Sequence, residues 1–254
     1  MEPIRSVKNP RVVAAADLRR TRTRRRRGAT LLEGPHLLEA AAAAGVSVSA
    51  IFALVDDDRS RDLAATIGAE WIPVTPAVLG RLAPTEHPRG PVAVMEIPAT
   101  RPPSRDALAL AVRDPGNAGT LIRTAAAFGL DVVVVDGAVD PWSPKVLRAA
   151  AGAHFRVALG REVPSGWRTI ATLPRGGCDL DDLQGRLDPR RRWAILVGDE
   201  AHGLPPDLAA SAEVAVSIPM EAGTESLNAA VAGALVAYEL RRWRTRAGNP
   251  SSPD

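Results

Sequence analysis

Along this chain short apolar runs alternate with helical stretches, and no other feature restricts the fold as much. "ATLLEG" at 29–34 reads as a strand. "PHLLEAAAAAG" at 35–45 reads as a helix, with Pro35 in its first turn and Gly45 near its end. "VSVSAIFALV", "AEWIPV" and "GPVAVMEI" continue as strands, separated by helical "RSRDLAATIG" and "PAVLGRLA". The second half alternates in the same way. It runs through strand "ALALAV", loop "RDPGNAG", helix "TLIRTAAAFG", strand "DVVVVDG" and helix "SPKVLRAAAGAHF", the last with Ser143 as cap and Pro144 at its first position. "WAILVG" at 193–198 has no polar interruption, which predicts a central strand covered on both faces. "AEVAVSIP" is a further strand. This order predicts an α/β protein with mostly parallel sheets. "PATRPPSRD" at 98–106 carries three prolines and no apolar period, and reads as a linker. The expected organisation is a smaller α/β domain at 1–97, the linker at 98–106, an α/β domain at 107–246 and a disordered tail at 247–254.

Open α/β sheets bind ligands beyond the carboxyl ends of their strands. Three Gly-rich polar loops leave such ends here: "RDPGNAG", "GDEAHGL" and "PMEAGTESLN". The last opens into an Ala- and Gly-rich helix within 225–240. Its polar entrance has a local reading, in which Thr224 or Ser226 caps the helix and Glu225 faces the positive end of its dipole. It also has a ligand-site reading, since helix entrances bind ligands.

Charge is distributed unevenly. Residues 1–28 hold ten basic and two acidic side chains, a net +8, which leaves −5 for the rest of a chain whose total is +3. An arginine-rich arm on an acidic body suits a polyanion, either nucleic acid or an anionic surface. Arg5, Lys8, Arg11, Arg24, Arg25 and Arg26 are its candidate RNA contacts, with a solvated helix face as the plain alternative. Cys178 is the single cysteine, so no intrachain disulfide forms, in keeping with a reducing cytoplasm. No signal core or long apolar run predicts a membrane span.

Several motifs fail on context. "DEAH" at 199–202 has no G-x-x-x-x-G-K-[ST] loop to accompany it, and no strand is followed by G-x-G-x-x-G. His36, His87, His154 and His202 lack metal-ligand spacing, and no G-x-S-x-G elbow presents a serine. No metal is expected. His202 next to Glu200 reads either as an acid/base pair or as a surface histidine.

The three loops, in order and spacing, resemble the SpoU (TrmH-like) family of RNA ribose 2′-O-methyltransferases. "DPGNAGTLIRTAAAFG" is similar to the first family motif, with Asn117, Gly119 and Arg123 in place. "ILVGDEAHGL" resembles the second, with Gly198, Glu200 and Gly203. "IPMEAGTESLNAAVAGALVAYE" resembles the third, with Ile218, Pro219, Met220, Ser226, Leu227 and Asn228. "SPKVLRAAAGAHFR" is similar to the family's intervening segment, except that Ala151 stands where many members have serine. The likeness covers about 108–243. Within the first half, "SVKNPRVVAAADLRR", "LLEGPHLLEAA" and "RGPVAV" are similar to the family's accessory substrate-binding domain.

The resemblance implies a trefoil-knotted, Rossmann-like C-terminal domain that binds S-adenosyl-L-methionine in the loops of the knot, beside an N-terminal RNA-binding domain. It implies a cytoplasmic homodimer that methylates a ribose 2′-hydroxyl, in 23S rRNA before tRNA. An inactive RNA-binding or ribosome-assembly protein is the further alternative. Cofactor contacts fall on Val197, Gly198, Gly203, Ile218, Met220, Leu227 and Asn228, the glycines allowing close approach. Arg123 takes the catalytic position, with Asn117, Glu200, Ser226 and Asn228 around the acceptor. Guanidinium stays protonated, so Arg123 suits phosphate fixation and hydroxyl polarisation better than proton removal. The alternatives are a surface arginine, or an ion pair of Arg123 with Glu200.

Overall fold

The computed structural model describes residues 2–83, 88 and 90–246. His87 and the tail expected at 247–254 lie outside the described residues. The first half runs α1 (Pro10–Ala16), α2 (Thr21–Arg27), β1 (Ala29–Glu33), α3 (Pro35–Ala43), β2 (Val48–Leu54), α4 (Asp58–Ile67), β3 (Glu70–Val74), α5 (Pro76–Leu82) and β4 (Val92–Glu96). The second runs β5 (Ala107–Leu110), α6 (Pro115–Phe128), β6 (Asp131–Val134), α7 (Pro144–Ala150), β7 (Leu159–Gly160), β8 (Arg168–Leu173), β9 (Cys178–Asp179), β10 (Trp193–Val197), α8 (Pro206–Ala210), β11 (Val214–Ser217) and α9 (Ala229–Arg246). Two compact units result: Met1–Ala99 with Asp140–Phe155, and Thr100–Val139 with Arg156–Asp254.

The first unit is built on a four-stranded sheet of order β1-β4-β2-β3. The expectation of mostly parallel strands is corrected here, because β4 runs antiparallel to both β1 and β2. Only β2 and β3 pair parallel. An apolar run shows that both faces are covered but carries no direction. Alternate side chains feed two core layers. Leu31 and Phe52 join Val12, Leu18 and Leu82 on one face, while Leu32 and Ile51 join Leu37, Met95 and Leu147 on the other. Leu147 lies on α7, which the expected boundary had put in the other domain. Thr30 Oγ1 donates to the Trp142 carbonyl (2.7 Å), so β1 also holds this segment. Helix α7 stops early because Ala151 takes a left-handed φ of 50°.

The basic arm is part of this fold. Val12, Ala15, Ala16 and Leu18 are core residues. Arg24 is corrected as an RNA contact: it is 2% exposed. Its Nε and Nη2 donate to Asp140 Oδ2 (3.0 and 2.6 Å), and Nη1 donates to the carbonyls of Leu18 and Arg19 (2.9 and 2.8 Å). Nη2 also donates to Thr21 Oγ1 (2.9 Å), so all five N–H donors are spent and none is left for a phosphate. Arg11 grips Glu70 bidentately at the surface. Arg5, Lys8, Arg25 and Arg26 are exposed.

The second unit holds seven strands in the order β7-β6-β5-β10-β8-β11-β9. Every ladder in it is parallel. β10 is buried along its whole length between β5 and β8, as its uninterrupted apolar run predicts. β8 was not anticipated, although "RTIATL" holds the β-branched residues Thr169, Ile170 and Thr172 and ends at Pro174. The expected linker is free only in part. Ser104 and Arg105 donate backbone N–H bonds to Asp131 Oδ2 (2.9 and 3.1 Å), and the Arg101 N–H reaches the Leu159 carbonyl (3.2 Å). Helix α9 packs on α6 and β10, and at Gly233 a Cβ would stand 2.6 Å from Leu121 Cδ2. No helix of the described residues is long and apolar enough to cross a membrane.

Candidate active site

The loops after β8, β10 and β11 form a cleft partly open to solvent. Val197, Gly198, Gly203, Ile218, Met220 and Leu227 all line it, together with Glu200 and Ser226. Asn228 does not, although its neighbour Ala229 does. Sequence reasoning missed Thr172, Leu173 and Pro174, which line the cleft from the unanticipated strand. A signal existed, since a β-branched run followed by Pro174, Gly176 and Gly177 is a strand running into a turn.

The loop after β10 is a tight closure. Asp199 and Gly203 exchange backbone bonds (3.1 and 2.7 Å), with Gly203 at a φ of 66°. Gly198 is required by the loop's own geometry. A Cβ there would lie 2.4 Å from the Gly203 carbonyl carbon and from the Leu204 nitrogen, so the close approach is by the loop's own backbone. Asp199 braces this loop. Burial pulls its pKa upward, but the His202 ring and the N–H groups of Arg113 and Ala201 outweigh that and hold it below the usual range. His202 Nδ1 meets Asp199 Oδ1 (3.3 Å), and no hydrogen bond joins it to Glu200 among the described residues.

"RDPGNAG" is less of a loop than expected. Asp114 caps α6, accepting from the Asn117 N–H (2.8 Å), and Pro115 opens the helix. Asn117 is therefore helical and buried. Its Nδ2 donates to Glu200 Oε1 (2.5 Å), while its Oδ1 accepts from Asn228 Nδ2 (2.9 Å). Asn228 Nδ2 also reaches Glu200 Oε1 (2.8 Å), and the Ala229 N–H approaches the same oxygen (3.4 Å). All three motif segments thus converge on one carboxylate oxygen. Glu200 Oε2 has no protein partner among the described residues.

The cap of α9 is corrected too. Asn228 Oδ1 accepts from the Ala230 and Val231 N–H groups (3.0 and 3.2 Å), so Asn228 is the cap rather than Thr224 or Ser226. Glu225 lies outside the first turn and is exposed. Arg123 is exposed on α6, with no side-chain partner among the described residues, and does not line the cleft. The alternative ion pair with Glu200 does not form.

The lining has a consistent chemistry. Leu173, Val216, Ile218, Leu227 and Val236 offer aliphatic walls, and Asp199 and Glu200 add carboxylates to the lining. Such a set fits a flat heterocycle joined to a cationic group, as in S-adenosylmethionine. Among the described residues, no three His, Cys, Asp or Glu side chains are grouped to hold a metal.

Residues 107–238 match the SpoU rRNA Methylase family, and residues 9–93 match the MRM3-like substrate binding domain. The 23S rRNA (guanosine(2553)-2′-O)-methyltransferase RlmP of Bacillus subtilis is 32% identical, over 95% of this chain and 100% of its own. A 23S rRNA (uridine(2479)-2′-O)-methyltransferase of Streptomyces viridochromogenes is 33% identical, over 76% of this chain and 75% of its own. The crystal structure of the SpoU methyltransferase AviRb from Streptomyces viridochromogenes, in complex with AdoMet, superposes with a TM-score of 0.82 at 27% identity. That match covers 95% of this chain and 100% of that one.

Proposed function

The chain belongs to the SpoU rRNA methylase family, and on that premise we propose that it is an S-adenosylmethionine-dependent methyltransferase acting on a ribose 2′-hydroxyl of 23S rRNA in the cytoplasm. One observation carries the reading: Asn117 and Asn228 hold, through hydrogen bonds, the Glu200 that lines an apolar cleft. The two named relatives modify a guanosine and a uridine, so the proposal commits to the ribose and not to a base.

S-adenosylmethionine, when bound, supplies an electrophilic methyl group with a sulfonium leaving group. Ile218, Met220, Leu227 and Val197 would hold its apolar part, with Gly203 and Ser226 in the flanking loops. The chain's own task is to align and activate the acceptor. Glu200 Oε1 is held by two amides and a backbone N–H, which fixes the carboxylate plane and leaves Oε2 for an acceptor hydroxyl. Arg123 would fix an adjacent phosphate and polarise the hydroxyl.

Arg123 does not line the cleft of a single chain, which favours a homodimer in which a second copy completes each site. An apolar groove on α9 and α6, with Val231, Leu235 and Tyr238 exposed, suits that contact. The trefoil knot belongs to the same reading. Strand order supports it, because β10 enters between β5 and β8, and β11 between β8 and β9. So does Gly177, where a Cβ would stand 2.7 Å from the backbone of Ala215 and Val216. Arg5, Lys8, Arg11, Arg25 and Arg26 remain the proposed RNA contacts of the first unit.

Mapping of 2′-O-methyl positions in ribosomal RNA with and without the gene tests the reaction, and calorimetric titration tests the methyl donor. Arg123→Ala should retain donor affinity and lose roughly 30- to 1,000-fold in single-turnover transfer, as for one aligned transition-state contact of about 2–4 kcal/mol. Arg123→Lys should stay slow if the planar fork matters. Turnover near wild type in Arg123→Ala would take the residue off the catalytic list.

A further inference from the structure

At the end of the second unit away from the cleft, the fold collects arginines. The cleft lies past the carboxyl ends of β8, β10 and β11. The second pocket lies before the amino ends of β5, β6 and β10, where Arg105, Leu130 and Arg192 line it with Arg241 and Arg244 of α9. The five residues of β10 separate the two, a span of roughly 16 Å at strand rise.

Arg244 explains how the arginines come together. It is 5% exposed, and its Nε and Nη2 donate to Asp106 Oδ2 and Oδ1 (2.7 and 2.9 Å). Its Nη1 donates to the Pro189 carbonyl (2.7 Å), and Nη2 also donates to the Arg191 carbonyl. This side chain therefore clips the end of α9, "RRWRTR", to the loop "DPRRRW". Two arginine-rich segments about fifty residues apart become one surface.

The charges divide into two classes. Arg244 is offset by Asp106, and Arg105 by Asp131 (2.6 Å). Arg190 pairs with Asp188 (3.3 Å), and Arg242 with Glu239 (2.5 Å). Arg192 and Arg241 line the same pocket with no side-chain partner among the described residues. Like charges held together without a counter-ion cost free energy, and an arriving phosphate recovers it. A body that is net acidic outside its first 28 residues thus carries a local cationic pocket in its catalytic unit.

We infer that Arg192 and Arg241 form a second RNA-phosphate contact, on the opposite end of the catalytic sheet from the methyl-transfer cleft. The inference rests on the proposed RNA substrate. Its chemistry is backbone recognition: guanidinium forks bind phosphate oxygens without reading bases. Its consequence is that a long, folded RNA is held at the cleft and around the far end of the sheet, whereas a short stem-loop reaches the cleft alone.

The test uses the full-length chain and two transcripts, whole 23S rRNA and a short stem-loop containing the mapped nucleotide. In Arg192→Gln/Arg241→Gln, the log–log salt slope of binding to 23S rRNA should fall by about 1.4–1.8, since each lost phosphate contact removes about 0.7–0.9. The slope for the stem-loop should hold, and so should calorimetric affinity for S-adenosylmethionine. Arg192→Lys/Arg241→Lys should keep the wild-type slope, because a point charge still displaces counter-ions. An unchanged slope in the Gln variant overturns the inference. So does a change of oligomeric state with RNA affinity lost on both transcripts, which would assign the pocket to a subunit contact. Failure of the wild-type protein to methylate any ribosomal RNA would instead remove the proposed function, since the slopes report binding alone.

Discussion

His154 is an imidazole buried in the first unit, 2% exposed, tilted against Trp142 at a ring separation of 5.2 Å. Its Nε2 donates to the Pro141 carbonyl (2.8 Å), and its Nδ1 has no partner among the described residues. Burial pushes its pKa down to about 4, although the Pro141 carbonyl pulls the other way. The folded value lies below the unfolded one near 6.5, so the unfolded chain takes up the proton first. The associated stability is therefore complete above pH ~6.5 and declines as pH falls toward about 4. Between pH ~6.5 and ~5 the loss should be about 2 kcal/mol. His154→Phe keeps an aromatic ring and removes the titration. Urea midpoints at the two pH values should diverge for the wild type and move much less for the variant. An equal shift in both would assign the acid sensitivity to other groups.

At the scale of elements, the start of α9 does two things at once. Asn228 caps the helix with its Oδ1 and fastens Asn117 and Glu200 with its Nδ2. The two roles separate by substitution. Asn228→Ser keeps an N-cap oxygen and loses the amide donor, whereas Asn228→Ala loses both. The serine variant should be about 1 kcal/mol more stable than the alanine variant in urea, a typical cap contribution. Both should be slow in single-turnover methyl transfer. Full activity in Asn228→Ser would leave Asn228 a cap and nothing more. The same double use explains why the polar residues before this helix had two readings: a side chain amide can satisfy a helix end and a neighbouring loop together.

For the whole molecule, the exposed side of α9 sets the expected assembly. Val231, Leu235 and Tyr238 follow at helical spacing, each more than a third exposed. Tyr238 sits by Phe128 of α6 (5.9 Å between ring centres), so the strip continues onto a second helix. Leu235→Glu/Tyr238→Asp should shift the protein to a monomer in sedimentation and leave S-adenosylmethionine binding within a few-fold. A wild-type monomer at micromolar concentration would remove the subunit contact and the completion of the site by a second copy. Charge at this scale also reads differently once folded. The N-terminal arginines are divided among a buried clip (Arg24), a surface pair (Arg11 with Glu70) and exposed side chains, so point changes at Arg25 and Arg26 test RNA binding more cleanly than deletion of the arm.

What the sequence determined by itself is what local chemistry encodes. The unbroken apolar run of β10 shows burial on both faces, Ser143 and Pro144 mark a helix start, and the loops "GDEAHGL" and "PMEAGTESLN" line the cleft. What only the tertiary structure decided depends on partners distant along the chain. The direction of β4, the interior place of β8 between β10 and β11, and the allegiance of α7 follow from which strands and helices each meets. Arg24 reads as one more surface cation until Asp140, 116 positions away, takes its charge. Arg244 likewise reads as an ordinary helix-end arginine until Asp106, 138 positions away, pulls it inside. Periodicity records how often a residue is buried, but not against what. The partner is chosen by the packing of the whole chain, and at these sites the partner decides whether a charge stays at the surface or holds the fold together.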